Sequence, residues 1–257
     1  MRVRWLCVVV LIAALGSGLA ESSELSAVPP LGGGGIERGI AFLRCATATK
    51  GIFQTSRGAI LDVGATDDVL LATAHGLPPD AQTVKRDCRV LVRGKAHAIA
   101  EVWHAGGDRA GPKDDWAVIV TQRITGDVHR WRVGLATSEW LVNAVSQGAP
   151  IGLVLRSPDA SQNACRLEPE TEDPRVLFAH SCVTYPGMSG SPMVIGSAVE
   201  PEPVLIALHI GSQARWIGTK LDFVSVARPV DAEIVAAVEA AAAHIVAASS
   251  GRRRASR

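Results

Sequence analysis

From Gly39 onward the chain breaks into short apolar runs separated by glycine, proline and aspartate. The clearest are Ala59–Val63, Val69–Thr73, Arg89–Val92, Ile99–Trp103, Trp116–Thr121, Ile151–Leu155, Val176–Phe178, Pro192–Ile195, Val204–Ile210 and Leu221–Val226. Their valine, isoleucine and leucine content and the turn residues between them predict many short strands. No alternation of strand and helix is visible, which favours a sandwich or barrel over a parallel sheet. One segment has a different period. After Asp231, which is placed to cap a helix, Ile234, Val235, Val238, Ala242, Ile245 and Val246 recur at helical spacing. Gly251 is the expected stop, and residues 249–257 then read as a basic, disordered tail containing Arg252, Arg253, Arg254 and Arg257. The sequence holds no internal repeat.

The first residues follow another logic. Arg2 and Arg4 precede an apolar run from Trp5 to Leu15, too short to span a bilayer, and Gly18 and Ala20 place small residues before a cleavage point. Residues 1–20 therefore read as a signal peptide cleaved after Ala20, which makes the protein secreted or periplasmic. An uncleaved anchor is the alternative. Residues 21–36, with serine, proline and the run Gly32–Gly35, read as a flexible leader or propeptide.

Formal net charge is +1 over 257 residues, so no basic excess points to a nucleic-acid partner. Removing the signal peptide leaves Cys45, Cys88, Cys165 and Cys182. An even set in an oxidising compartment suggests disulfides, with three connectivities open. Chain order favours Cys45–Cys88 and Cys165–Cys182. A zinc site is the competing reading, but no cysteine pair has close spacing and the histidines do not cluster near them.

Candidate chemistry centres on Tyr185-Pro186-Gly187-Met188-Ser189-Gly190-Ser191-Pro192. A serine between glycines, ahead of an apolar run, suggests a side chain on a tight turn whose backbone N–H groups converge on one point, as acyl transfer requires. Alone this pattern is weak, because such turns are common in loops. A serine hydroxyl also needs a base, and the base needs an acceptor to fix its tautomer. Leu70-Leu71-Ala72-Thr73-Ala74-His75 and Asp115-Trp116-Ala117-Val118-Ile119 offer both, each beside a strand-like run.

Thr73-Ala74-His75, Asp115-Trp116-Ala117-Val118 and Gly187-Met188-Ser189-Gly190-Ser191-Pro192 resemble the motifs of chymotrypsin-like serine peptidases, in that family's chain order. The resemblance spans roughly residues 37–248. It implies an all-β fold of two antiparallel six-stranded β-barrels, a C-terminal α-helix and an active site between the barrels. It implies His75 as general base and acid, Asp115 as its orienter and Ser189 as nucleophile, with the N–H groups of Gly187 and Ser189 as the oxyanion hole. Asp114 is the rival to Asp115, but Asp115 fits the family's order of Asp, any residue, Ala, aliphatic. The implied partners are protein or peptide substrates of a monomeric enzyme that uses no metal and no cofactor.

Two departures separate this chain from pancreatic trypsins. Gly76 follows His75 where trypsins have a cysteine, and Met188 stands where they have the aspartate that pairs with a new N-terminus. The stretch Cys182-Val183-Thr184-Tyr185-Pro186-Gly187 is similar to the bacterial glutamyl endopeptidase-like branch. That resemblance implies that Thr184 and His209 line the S1 pocket and that acidic P1 residues are preferred, since a hydroxyl and an imidazole can donate to a carboxylate. The plainer reading of His209 is a buried, hydrogen-bonded histidine. Val183, at the pocket floor, lacks the acid a basic-specific enzyme needs. His97, His104 and His129 read as exposed, and the six tryptophans as core or cleft walls. The function expected is a secreted serine endopeptidase working through an acyl-enzyme; the alternative is a non-catalytic or tightly regulated binding module on the same fold. An esterase shares the chemistry but comes with an α/β order of elements, absent here.

Overall fold

The computed structural model describes residues 35–104, 111–136, 139, 150–154, 164–168, 177–195, 203–217 and 219–255. The signal peptide and all but the last two residues of the leader lie outside the described residues.

Twelve strands close into two antiparallel barrels of six. The first contains β1 (Ile40–Ala46), β2 (Phe53–Leu61), β3 (Asp68–Ala72), β4 (Cys88–Val92), β5 (Lys95–His104) and β6 (Ala117–Thr121). They are hydrogen-bonded in the order β1-β2-β3-β6-β5-β4. The second contains β7 (Pro150–Leu153), β8 (Ala164–Glu168), β9 (Phe178–His180), β10 (Pro192–Ile195), β11 (Val204–Ile217) and β12 (Lys220–Pro229). Its order is β10-β11-β12-β9-β8-β7. Closure pairs the outer strands of each sheet with each other, while Gln213–Ile217 and Lys220–Val224 continue beyond the second barrel as a two-stranded hairpin. A short helix α1 (Ala81–Asp87) sits between β3 and β4, and a long helix α2 (Ala232–Ala255) ends the described chain.

The apolar runs of β3 and β6 are continuous rather than alternating because both of their faces are covered. Leu70, Ala72, Ala117 and Ile119 point into the first barrel with Leu43, Ile60 and Val90. Val69, Leu71, Val118 and Val120 face the other way, against Ile234, Val238, Ala241 and Ile245 of α2. Each fully enclosed aliphatic side chain contributes about 1.5–3 kcal/mol. The terminal helix is thus clamped onto the two strands that lead to His75 and away from Asp115.

Asp231 caps α2 through Oδ1, which accepts the Ile234 N–H at 3.0 Å. The helix runs past Gly251, the expected stop, to Ala255. An isolated glycine costs only about 1 kcal/mol relative to alanine in a helix, which does not by itself end one. Cys45 is bonded to Cys88, and Cys165 to Cys182. The first bridge joins residues already opposite each other in the β1–β4 ladder. Among the described residues no helix is long and apolar enough to cross a membrane.

Candidate active site

Strand register brings His75 and Asp115 to the same end of the first barrel. The β3–β6 ladder ends on the pair Ala72↔Ala117. His75 therefore lies three residues beyond that pair on one strand, and Asp115 two residues before it on the other. The carboxylate of Asp115 takes both donors of the histidine. Its Oδ2 lies 2.7 Å from Nδ1 of His75, and its Oδ1 accepts the His75 backbone N–H at 2.9 Å. This double contact fixes the imidazole's orientation and leaves Nε2 on the side away from Asp115. Gln54 Nε2 adds a third tether, donating to the His75 carbonyl at 2.7 Å. Gly76 packs against Ser56, with no room there for a β-carbon.

Ser189 sits in the loop that leads into β10. Two successive turns shape this loop. The Met188 N–H donates to the Tyr185 carbonyl at 3.2 Å, and the Ser191 N–H to the Met188 carbonyl at 3.0 Å. Gly187 and Gly190 take φ values of 89° and 85°, a left-handed conformation that glycine adopts without penalty. Gly190 has a second reason to be glycine, since a β-carbon there would overlap the Arg57 carbonyl. The loop is bonded to both barrels. Arg57 N–H on β2 donates to the Ser189 carbonyl at 2.7 Å, and Gly190 N–H to the His209 carbonyl on β11 at 2.7 Å. The Ser189 hydroxyl lies 3.5 Å from the Ile210 carbonyl. Among the described residues, the N–H groups of Gly187 and Ser189 have no acceptor. Two unclaimed amides flanking a hydroxyl can receive a developing oxyanion. Met188 is fully buried among Phe178, Cys182 and Met193, so the residue before Ser189 is held by apolar packing.

Thr184 and His209 each contact a third residue on the β12 side of the second barrel. The Thr184 hydroxyl lies 2.6 Å from that of Ser225 on β12. Nδ1 of His209 lies 3.1 Å from Nε2 of His180 on β9. Both imidazoles are enclosed. Burial pushes His209 down to about 4, and the nearby charges of Arg57 and His75 push the same way. Burial, then the neighbouring His209, pushes His180 down to about 3. At neutral pH His209 is therefore uncharged, which agrees with the plainer reading of a buried, hydrogen-bonded histidine. His97 and His129, expected on the surface, are half-buried, and His129 packs edge-on against Trp131. His104 has no described side chain.

Cys165, His180 and Cys182 each place one possible metal-ligand atom within 4.8 Å of the others. Since the two sulfurs are joined in a disulfide, this cluster presents an imidazole and no thiolate.

Residues that the sequence did not single out shape the site. Arg57 docks the serine loop beside Gly190, the second glycine of the serine motif, Gln54 ties down His75, and Ser225 faces Thr184. None of these three carried a signal. They are polar residues within or beside strand-like runs, and only the barrel register brings them to the site. The sequence matches no protein-family model, and no curated protein matches it.

Proposed function

We propose that this protein is a secreted serine endopeptidase that cleaves peptide bonds through an acyl-enzyme. His75 takes the Ser189 proton as the hydroxyl attacks the scissile carbonyl, then returns it to the leaving amine. Asp115 holds His75 in the tautomer that leaves Nε2 as acceptor, and stabilises the imidazolium that forms. The N–H groups of Gly187 and Ser189 receive the oxyanion of the tetrahedral intermediate. A water then repeats the sequence on the acyl-serine, which restores the enzyme. The observation that carries this reading is the double hydrogen bond from His75 to Asp115 within a two-barrel fold, together with a serine loop that has two unclaimed amides and is hydrogen-bonded to β2 of the barrel carrying His75.

A preference for acidic P1 residues belongs to the same reading. It rests on neutral donors: the half-buried hydroxyls of Thr184 and Ser225 meet the P1 group, and His209, uncharged, adds an imidazole to the same pocket. A Ser189→Ala variant tests the reaction. It abolishes turnover of casein or a peptide library while the folded protein keeps its thermal transition; turnover near wild type in that variant would refute the proposal.

A further inference from the structure

Arg228 is a charged residue at 2% exposure, where Val226-Ala227-Arg228-Pro229 ends β12. A buried guanidinium is tolerated only when its donors are engaged, and here they reach three acceptors on two separate pieces of chain. Nη1 donates to the Pro229 carbonyl at 2.7 Å, and Nη2 to Asp231 Oδ2 at 2.6 Å. Nε donates across the barrel boundary to the Lys113 carbonyl, also at 2.6 Å. Lys113 lies in the single turn Pro112–Asp114 that delivers Asp115. Within that turn the Asp114 N–H donates to the Gly111 carbonyl at 2.9 Å and the Trp116 N–H to the Asp114 carbonyl at 2.9 Å, whereas the Asp115 N–H reaches the Pro112 carbonyl only at 3.4 Å, so the Lys113 carbonyl is where an outside donor adds a hold. Asp231, the acidic partner of Arg228, also caps α2, and α2 packs against β3 and β6. One side chain of the second barrel therefore fastens the Asp115 turn of the first to the helix that braces the strands carrying His75 and Asp115.

We infer that Arg228 is a positioning residue for the His75–Asp115 pair, setting the Asp115 carboxylate against the imidazole from across the barrel boundary. The inference rests on the reading of that pair as the reacting base and its orienter. Lysine cannot replace the fork, because an ammonium lacks the planar donors that reach three acceptors in fixed directions. Arg228 itself faces Asp231 on the helix. The imidazole of His75 faces Asp115 from the first barrel, and feels His209 from the second.

The test compares Arg228→Met and Arg228→Lys with Arg130→Met. Arg130 is a control of like kind: it donates to the buried Asp68 at 2.8 Å, at the far end of β3 from His75. Two readouts are taken, the pH dependence of kcat/KM and the titration of the His75 ring by NMR, which needs no turnover. A looser Asp115 favours the imidazolium less, so in Arg228→Met the acid limb and the His75 titration both move to lower pH. A displacement of this kind costs about 10- to 100-fold in kcat/KM. Arg228→Lys falls between, and Arg130→Met lowers Tm while leaving both readouts in place. A folded Arg228→Met with lowered Tm but an unmoved His75 titration overturns the inference; if that variant does not fold, an unmoved titration in Arg228→Lys does so. Should the wild type prove unreactive while its His75 titration still depends on Arg228, the positioning role stands and the peptidase reading falls.

Discussion

The backbone N–H of Arg57, on β2 of the first barrel, donates to the carbonyl of Ser189, on the loop entering β10 of the second, at 2.7 Å. This bond is short, crosses the barrel boundary, and lies one residue from the closest packing in the site. Gly190 rests against the same Arg57 backbone so closely that no β-carbon fits. The hydroxyl of one barrel is thereby fixed relative to the imidazole of the other by main-chain contacts, which side-chain variation nearby leaves intact.

Gly190→Ala is the sharpest test of that docking. The new methyl meets the Arg57 carbonyl at a φ of 85°, so the loop must move off β2. The strained backbone alone costs about 1–3 kcal/mol, and reactivity of Ser189 should fall at least about 100-fold. Urea melts and the rate of phosphonylation measure the two effects separately.

Asp115→Asn keeps the shape of the pair and removes its charge. Nδ1 of His75 then meets an amide that can donate as well as accept, which favours the wrong tautomer. In chymotrypsin-like peptidases this substitution lowers kcat about 10⁴-fold, and a loss of that order is expected here with little change in Tm. Steady-state kinetics on any cleaved peptide checks it.

The buried histidine pair predicts an acid-sensitive fold. Unfolded imidazoles bind protons near pH 6.5, whereas His209 does so at about 4 and His180 at about 3 in the folded protein. The unfolded state therefore holds more protons between these values, so stability is full above about pH 6.5 and is lost as pH falls toward 4 and then 3. His180→Gln removes one of the two groups. It should lessen the loss between pH 7 and pH 4.5 by of the order of 2 kcal/mol, measured by denaturant melts at both pH values.

The Cys45–Cys88 bridge closes a 43-residue interval, and replacing both cysteines with alanine should cost about 2–4 kcal/mol. Cys45 Sγ lies 3.8 Å from the carbonyl of Gly76, next to His75, so kcat should fall along with Tm while the P1 preference holds. Loss of Cys165–Cys182 should act differently, because Cys182 stands two residues before Thr184; there the P1 preference measured on a peptide panel should broaden.

The sequence disclosed the parts of this molecule that depend on local pattern. The runs assigned to strands reappear as strands except Val176–Phe178, which meets β9 only at Phe178 and whose Val176 lies outside the described residues; His75 and Asp115, far apart in the chain, are hydrogen-bonded. The strands missed were β1 and β8. In β1, Ile40-Ala41-Phe42-Leu43-Arg44-Cys45-Ala46 mixes small and charged residues without a clean period, and in β8 Ala164–Glu168 is short and polar. Helix α1 buries only Val84, too little for a periodicity. Its one signal was Asp80, whose carboxylate caps the N–H groups of Gln82 and Thr83. Arg228 and Arg57 were not legible at all. Each earns its place through an acceptor more than a hundred residues away, Lys113 in one case and Ser189 in the other, and no local pattern encodes such a contact.

The central claim is that Ser189 is an activated nucleophile. Intact-mass analysis of the folded protein after treatment with a fluorophosphonate, alongside Ser189→Ala, tests it most directly. The account predicts one adduct on the wild type and none on the variant. Folded wild type that gains no adduct, or a variant that gains one, would contradict it.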